Sequence, residues 1–250
     1  MPRLNLKKPR LFVEDDLHRD KNIELNRNQT HYLLNVLRRK VSDDIFVFNG
    51  RDGEWSAYIE SEQYNQRILL RLLQQIRSQL VLSDLTLFFA PLKEARLQYL
   101  IQKSVEMGTG ILQPILTEYT KVRKINRNKI QRYAIEAAEQ CGLLTIPMVD
   151  NLIKLTDALS GRRFESTLIF CDETLNNKNP IPLLKHVISG PIDLLIGPEG
   201  GFSKVERELI RSQHHTIAIS LGPRILRADT ASVAALAIIQ ATIGDWSDPQ

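Results

Sequence analysis

The chain has 250 residues, of which 43% are hydrophobic and 25% charged, a composition typical of a globular protein with one large or two average domains. It contains no run of about 20 apolar residues that could span a membrane, and the amino terminus lacks the apolar core of a signal peptide, so we expect a cytoplasmic protein. The net charge of +4 permits a nucleic-acid partner without requiring one. Cys141 and Cys171 lie far apart and outside any CxxC pattern, which indicates reduced, buried thiols and neither a disulfide framework nor a zinc site.

The first part of the chain alternates short β-type runs with turns around one helix. The strand-like runs, rich in aromatic and branched residues, are residues 9–13, 44–50, 54–60 and 67–73. A helix is predicted to begin with Asn28 as its N-cap and to place one apolar face, formed by Tyr32, Leu33, Val36 and Leu37, against these strands. The pattern predicts a small β-barrel, and the polar stretch 74–84 is the best candidate for a linker.

From Leu85 onward, apolar strand-like runs alternate with helical periods. The strands are predicted at 85–91, 111–116, 166–173, 192–197 and 216–222, and the helices at 96–108, 127–141, 181–189, 204–213 and 230–244. The first of these helices is expected to bury Leu97, Leu100, Ile101, Ser104 and Val105 and to stop at Gly108. Such alternation predicts an α/β fold with a parallel sheet covered on both faces and with ligands at the carboxyl ends of its strands.

The predicted chemistry therefore lies at three strand ends, at residues 171–173, 197–201 and 221–227. The GPEGG loop of 197–201 is short, because Ser203 and Glu206 form a capping box that begins the next helix. Its spacing matches neither phosphate-loop motif, and Glu199 would repel a phosphate. The glycines allow close approach of backbone to a ligand, and the carboxylate suits a hydroxylated, partly cationic small molecule. A purely structural turn is the alternative interpretation.

A second glycine-proline turn follows one strand later, in SLGPRILRADTAS at 220–232. It contains Arg224 and Arg227, and Asp229 or Thr230 is predicted to cap the helix behind it. Two cations beside a helix amino terminus favour anions. Arg224 fits an exposed charge equally well, and Arg227 is the better functional candidate.

A strip of cations lies between Glu118 and Glu136 with no acid among them: Lys121, Arg123, Lys124, Arg127, Lys129 and Arg132. Such a strip could bind a phosphate backbone, whose charge density rewards counterion release, or it could be a solvated helix face. The basic end of the first helix, Arg38 to Lys40, allows the same two interpretations.

The motifs LLIGPEGGFSKVE and SLGPRILRADTASVAALAIIQ together closely resemble the ribosomal RNA small subunit methyltransferase E family of the SPOUT superfamily. PRLFV and HYLLNVLR are similar to its PUA-like RNA-binding domain, and FFAPLKEARLQYLIQKSVEMG and IEAAEQCG to the start of its catalytic domain. The resemblance implies S-adenosylmethionine-dependent methylation of N3 of a uridine in 16S rRNA of the 30S subunit, a trefoil knot and a homodimer. It assigns residues 1–76 to the PUA-like RNA-binding domain and 83–250 to the SPOUT methyltransferase domain.

The resemblance also implies roles for individual residues. The cofactor pocket would comprise Leu195, Ile196, Gly197, Pro198, Glu199, Gly200, Gly201, Leu221, Gly222, Ile225 and Leu226. Arg227 would stabilise the uracil enolate, and Glu199 or Asp229 would accept the N3 proton, although Asp229 fits a simple helix cap equally well. The rRNA would contact Arg10, Arg38, Arg39, Lys121, Arg123, Lys124 and Arg224. No metal is expected, because His31, His186, His214 and His215 lack ligand spacing.

The sequence differs from the common family pattern at three places, and these differences bear on RNA binding more than on cofactor binding. Leu143 stands where an arginine is common, Glu118 to Thr120 where basic residues are common, and ADT at 228–230 where TET is common. Two other classes stay open, a non-catalytic RNA-binding or assembly protein and a nucleotide-dependent metabolic enzyme. The intact pair of loops argues against the first, and the missing dinucleotide fingerprint argues against the second.

Overall fold

The computed structural model describes residues 8–63, 67–175, 179–187 and 190–246. The chain divides into two compact units, the first formed by residues 1–81 with 138–146 and the second by residues 82–137 with 147–250. Within the described ranges, no helix combines the length and the apolar content that a membrane crossing requires.

The first unit is built on a five-stranded sheet. Its strands are β1 (Arg10–Phe12), β2 (Asn22–Glu24), β3 (Asp44–Phe48), β4 (Glu54–Gln63) and β5 (Arg67–Arg77), in the order β1-β3-β4-β5-β2. β1 pairs parallel to β3, and the other pairs are antiparallel. Three register irregularities between β4 and β5 increase the local twist and bend of the sheet. In the described residues β1 and β2 remain edges, so the predicted small barrel is an open half-barrel.

Alternate side chains of these strands fill one apolar core. On β3, Ile45 and Val47 are fully buried, as are Ile68, Leu70 and Leu72 on β5, which is the period of two that a one-sided sheet requires. β2 was not predicted, and β5 runs on to Arg77, so strand residues occupy the start of the stretch 74–84 that was expected to be a linker.

The helix of this unit differs from its prediction. α1 (Arg27–His31) begins after Asn26, which forms a capping box with Gln29, so the predicted N-cap at Asn28 is wrong. A π-helical turn (Tyr32–Val36) follows directly. Its wider turn changes the phase of the apolar face, because more residues complete one turn than in an α-helix. Leu33 is buried as expected, whereas Val36 is 58% exposed.

The second unit contains the parallel sheet that the strand–helix alternation predicted. Its strands are β6 (Leu85–Phe89), β7 (Ile111–Leu116), β8 (Met148–Val149), β9 (Ile153–Lys154), β10 (Thr167–Cys171), β11 (Ile192–Ile196) and β12 (Thr216–Ile219). The order is β12-β10-β11-β6-β7-β8, β9 pairs with the end of β7, and every pairing is parallel. The short strands β8 and β9 were not predicted.

The helices of the chain's second part are α2 (Glu94–Glu106), α3 (Arg127–Cys141), α4 (Leu155–Ser160), α5 (Ile181–Leu184), α6 (Lys204–Arg211) and α7 (Ala228–Thr242). On one sheet face, Phe88, Phe170 and Leu195 pack with apolar residues of α4 and α6. α7 contacts β11 and packs against α2, which buries its five predicted residues. A helix was expected over 181–189, but α5 ends at Leu184. Residues 188 and 189 of the expected helix lie outside the described ranges. α4 was not predicted.

The strand order decides where the loops meet. β10 lies between β11 and β12 in the sheet, although the three strands follow one another in sequence as β10, β11 and β12. All three run parallel, so the loops after Cys171, Ile196 and Ile219 leave from the same edge.

Candidate active site

Three loops at this edge line one cavity of 310 Å³, which we call the three-loop pocket. Its lining consists of Cys171, Asp172 and Glu173 after β10; Ile196, Gly197, Pro198, Glu199, Gly200 and Gly201 after β11; and Ser220, Leu221, Gly222, Pro223, Arg224, Ile225, Leu226, Ala228 and Ala231 after β12. The volume falls within the roughly 300 to 1,000 Å³ of small-molecule sites. The three strand ends predicted to carry the chemistry therefore converge.

The loop after β11 is held tightly on both sides. At Gly197, an added Cβ would lie 2.6 Å from the ring of Phe202, which is buried, so only glycine fits there. The amide of Gly201 donates to the carbonyl of Pro198 at 2.9 Å and closes a turn, with φ of +68° at Gly201. Ser203 and Glu206 form the predicted capping box at the start of α6.

The loop after β12 leaves open space beside one of its glycines. At Gly222, φ is +105° and an added Cβ would meet no atom within 4 Å, so a side chain there would enter open space. Ile225 lines the pocket while remaining 92% exposed. α7 begins at Ala228, and Arg227, which has an extended backbone, is its N-cap residue. The side chain of Arg227 makes no capping hydrogen bond. The prediction that Asp229 or Thr230 caps this helix is wrong; the Asp229 carboxylate accepts from the amide of Thr230 at 2.9 Å.

The loop after β10 is organised around the buried carboxylate of Asp172. It accepts hydrogen bonds from the amide and the hydroxyl of Thr174, at 3.0 and 2.7 Å, and forms an ion pair with Arg211. Burial acts to raise the pKa of Asp172, but the hydrogen bonds from Thr174 and the charge of Arg211 outweigh it, and the net pKa is lowered. Asp172 is therefore ionised at neutral pH. Glu173 beside it pairs with Arg207 at 2.5 Å.

Cys171, at the end of β10, also lines this pocket. Burial raises the pKa of its thiol, and the neighbouring Asp172 carboxylate raises it further. The thiol is therefore protonated at neutral pH and a poor nucleophile. Cys141 and Cys171 are both reduced, as expected, but each residue is partly exposed and not fully buried.

Glu199 connects the pocket to a helix that the sequence did not single out. Its carboxylate accepts from the guanidinium of Arg96, in the first turn of α2, at 3.2 Å. The two residues are 103 positions apart, and they meet because β6, which precedes α2, lies beside β11 in the sheet. Only the strand order could have indicated Arg96.

A second contact missed by sequence reasoning fixes the loop of Glu118 and Tyr119 beside the pocket. Glu206 accepts from the amide of Glu118 at 2.8 Å with one carboxylate oxygen and from the amide of Ser203 at 3.0 Å with the other. An added Cβ at Gly200 would lie 3.0 Å from the Cβ of Tyr119. The side chain of Tyr119 therefore contacts the glycine-rich loop.

The structure brings most of the predicted cofactor residues together in the three-loop pocket. Leu195 is the exception: it belongs to β11, and its side chain is buried in the core on one face of the sheet. Arg224, predicted to contact RNA, is exposed and also lines the pocket, and its RNA contact stays a prediction. Arg227 and Asp229 are not among the described residues that line it. Their catalytic roles stay predictions.

Arg10 is not available to RNA, so its assignment as an RNA contact is corrected. Its side chain is buried, with Nε donating to Glu54 at 2.5 Å and the two Nη atoms donating to the carbonyls of Ala138, Glu139 and Leu143 at 2.6 to 2.9 Å. Every donor nitrogen therefore has a partner within the first unit.

The other predicted RNA contacts lie at the surface. Lys121, Arg123 and Lys124 are exposed, as is Arg38 in the first unit, while Arg39 is half-buried. Two members of the cationic strip have partners that its sequence does not reveal: Lys129 pairs with Glu94 at 2.6 Å, and Arg127 donates to the carbonyl of Val149 at 2.5 Å. No group of three or more His, Cys, Asp and Glu side chains that could hold a metal ion occurs in the described ranges.

Comparison with known proteins finds relatives over both units. Residues 79–240 match the family model of the RNA methyltransferase domain, and residues 25–69 match that of the RNA methyltransferase PUA domain. The chain is 33% identical to the ribosomal RNA small subunit methyltransferase E of Rickettsia conorii, over 94% of this chain and 96% of the relative. It is 32% identical to that of Buchnera aphidicola, over 96% and 98%.

Among solved structures, the chain is similar to a ribosomal RNA small subunit methyltransferase E from Neisseria gonorrhoeae bound to S-adenosylmethionine. The TM-score is 0.85 at 29% identity, and the match covers 96% of this chain and 99% of the other. The similarity therefore extends over the sheet, its loops and the amino-terminal half-barrel.

Proposed function

The chain belongs to the ribosomal RNA small subunit methyltransferase E family, and on that premise we propose that it methylates N3 of one uridine in 16S rRNA. The methyl donor is S-adenosylmethionine, which is bound in the solved relative from Neisseria gonorrhoeae. Family membership supports donor-dependent methylation of ribosomal RNA directly, and the uridine N3 position is the finer part of the proposal.

The residues of the three-loop pocket fit this donor. It carries a sulfonium cation, a ribose and an adenine, and when bound it supplies an electrophilic methyl group. The carboxylates of Glu173 and Glu199 can accept hydrogen bonds from ribose hydroxyls, and the backbone groups of residues 197–201 and 221–226 can pair with adenine. Gly222 lines the pocket without adding a side chain to it. No cluster of cations that would select a polyphosphate surrounds the described part of the pocket.

The acceptor chemistry requires a proton to leave uracil N3 as the new N–CH₃ bond forms. A carboxylate beside the base can take that proton, and a cation can stabilise the developing negative charge on the uracil oxygens. Of the two predicted acceptors, Glu199 lines the pocket and Asp229 does not, which favours Glu199. Arg227 stays the proposed cation, at the N-cap of the helix that closes the pocket.

The remaining parts of the proposal concern RNA and assembly. Because N3 lies on the pairing edge, the uridine must be unpaired or extruded before it reacts, and the exposed cations of residues 121–124 would hold the rRNA by its backbone. We assign residues 1–76 to RNA binding and 83–250 to methyl transfer. We also propose a trefoil knot in the second of these, a homodimer and a cytoplasmic location, each supported only by the resemblance to the family.

One observation carries this proposal: the convergence of the loops after β10, β11 and β12 in a chain of this family. Its test is incubation of the protein with labelled S-adenosylmethionine and 30S subunits that lack the modification, followed by nucleoside analysis of the 16S rRNA. We expect the label in 3-methyluridine. Label in another nucleoside would overturn the assigned position, and donor binding without any transfer would favour an assembly role.

A further inference from the structure

A second cavity adjoins the three-loop pocket and has a different chemical character. We call it the α2 cavity; it has a volume of 360 Å³, and its lining includes Leu92, Lys93, Arg96, Lys121, Val122 and Glu199. Three of these side chains are cationic and one is a carboxylate. The three-loop pocket, in contrast, contains three carboxylates and one arginine. The α2 cavity therefore favours an anionic ligand.

The two cavities share one residue. Glu199 lines both, and its ion pair with Arg96 at 3.2 Å lies at their boundary. A methyl donor in the three-loop pocket must present its methyl group to an acceptor within contact distance, because in-line transfer requires the two reacting atoms to be close. A neighbouring cavity that shares a wall with the donor pocket is the place from which an acceptor can reach it.

The α2 cavity also continues toward the cationic strip. A further cavity of 130 Å³ shares Leu92, Lys93 and Val122 with it and extends to the exposed Lys124 and to the ion pair of Lys129 with Glu94. The three spaces therefore run in sequence from the donor pocket along the cationic strip. The α2 cavity and the smaller cavity are lined by both apolar and cationic side chains. Such a lining matches a strand of nucleotides, whose bases stack or pack while their phosphates bind cations.

We propose that the α2 cavity is the acceptor-nucleotide site: the extruded uridine packs its base on Leu92 and Val122, and Lys93 and Lys121 bind its flanking phosphates. Arg96 contacts the base edge at the boundary with the donor pocket and positions it toward Glu199. The inference rests on the proposed function, since it assigns a place to the acceptor of that reaction. It explains why the cavity next to a carboxylate-rich pocket is cationic.

The first test fills the cavity. Ala95 lines the α2 cavity, is exposed, and lies outside the three-loop pocket, so Ala95→Trp blocks the space without occupying the donor site. We expect methyl transfer to 30S subunits to fall at least about tenfold in kcat/KM, while the donor Kd measured by calorimetry stays within about twofold. Glu106→Trp, at the exposed far end of the same helix, is the matched control and should retain wild-type transfer. Wild-type transfer by Ala95→Trp would overturn the proposal.

The second test removes charge from two exposed positions, where unfolding is not a concern. The double variant Lys93→Ala/Lys121→Ala should raise KM for 30S subunits and leave donor Kd unchanged. It should also reduce the slope of log KM against log salt by about 1.5, since each lost phosphate contact contributes roughly 0.7 to 0.9. Lys154→Ala, an exposed lysine outside both cavities, should leave the slope unchanged.

An unchanged salt slope in the double variant would overturn the assignment of the two lysines to phosphate. Failure of the inference is distinguishable from failure of the proposed function. If wild-type protein transfers no methyl group to 30S subunits, the proposed function fails. If wild-type protein is active and the cavity variants match it, only the acceptor site is wrong.

Discussion

Asp172 and Arg211 join the end of β10 to the last residue of α6 through an ion pair whose carboxylate is fully buried and whose guanidinium is 45% exposed. The same carboxylate accepts two hydrogen bonds from Thr174 and lies 3.8 Å from Nε of Arg207. One buried charge therefore fixes both the loop after β10 and the helix that follows the glycine-rich loop. The wall of the three-loop pocket depends on it.

We expect Asp172→Asn to lower the free energy of unfolding by about 1 to 3 kcal/mol at neutral pH, since hydrogen bonds to a charged group are lost. The folded-state pKa of Asp172 is lowered, so its contribution is present above the ordinary value of 3.8 and is lost as the pH falls through the folded-state value. Urea unfolding should therefore show the difference between wild type and variant shrinking below pH 3.8. Exposed Asp157→Asn is the control, and a pH-independent difference would contradict the argument.

We expect Gly222→Ala mainly to weaken donor binding and Gly197→Ala mainly to lower thermal stability. Gly222 lines the pocket, and its positive φ means that alanine adds about 1 to 3 kcal/mol of strain to the turn that we expect to contact the donor. At Gly197 the added methyl group would collide with the buried ring of Phe202, so the main effect there is a lower thermal stability. Calorimetric titration with the donor, paired with thermal unfolding, separates the two. Equal donor affinity in wild type and Gly222→Ala would rule out contact between the donor and this turn.

Glu206→Ala should cost more stability than the loss of an ordinary helix cap. The capping box itself contributes about 0.5 to 2 kcal/mol, and the second carboxylate oxygen also holds the amide of Glu118. Release of that amide frees Tyr119 from Gly200, so we expect donor affinity to fall as well. Ser203→Ala, which removes only the cap, is the comparison, and Glu208→Ala on the same helix is the control. If Ser203→Ala and Glu206→Ala have equal donor Kd values, the loop contact has no role in binding.

Arg10→Ala and Arg38→Ala should separate stability from RNA binding within the first unit. Arg10→Ala leaves the buried carboxylate of Glu54 without its main partner, for which we expect a loss of about 3 to 5 kcal/mol in urea unfolding. Arg38 is exposed, so Arg38→Ala should preserve stability and weaken binding of 30S subunits. A stable Arg10→Ala protein with selectively reduced RNA binding would restore Arg10 as an RNA contact.

Glu199→Gln is expected to reduce kcat by about 100-fold to 10,000-fold, the range of a lost general base, with a smaller change in donor Kd. Asp229→Asn should have little effect on kcat, since Asp229 does not line the described pocket. Single-turnover methyl transfer to 30S subunits measures both. The reverse ranking of the two variants would assign the proton to Asp229.

Much of the fold could be predicted from local sequence patterns. The alternation of apolar runs with helical periods predicted the parallel sheet, the five buried positions of α2 and the bounds of α3, because periodicity and burial act over a few residues. The capping box of Ser203 and Glu206 was likewise readable, since its two partners are three positions apart. The loops of the three-loop pocket were identified for the same reason: each follows an apolar run directly.

Long-range contacts decided the rest. The burial of Arg10 depends on Glu54 and residues 138–143, and the pairing of Glu199 depends on Arg96, in each case across dozens of positions. A cation's role, whether it faces RNA or neutralises a buried acid, is set by what the chain brings beside it. Composition fixes how many charges the protein has, whereas the strand order fixes which of them meet, because sheet neighbours need not be sequence neighbours.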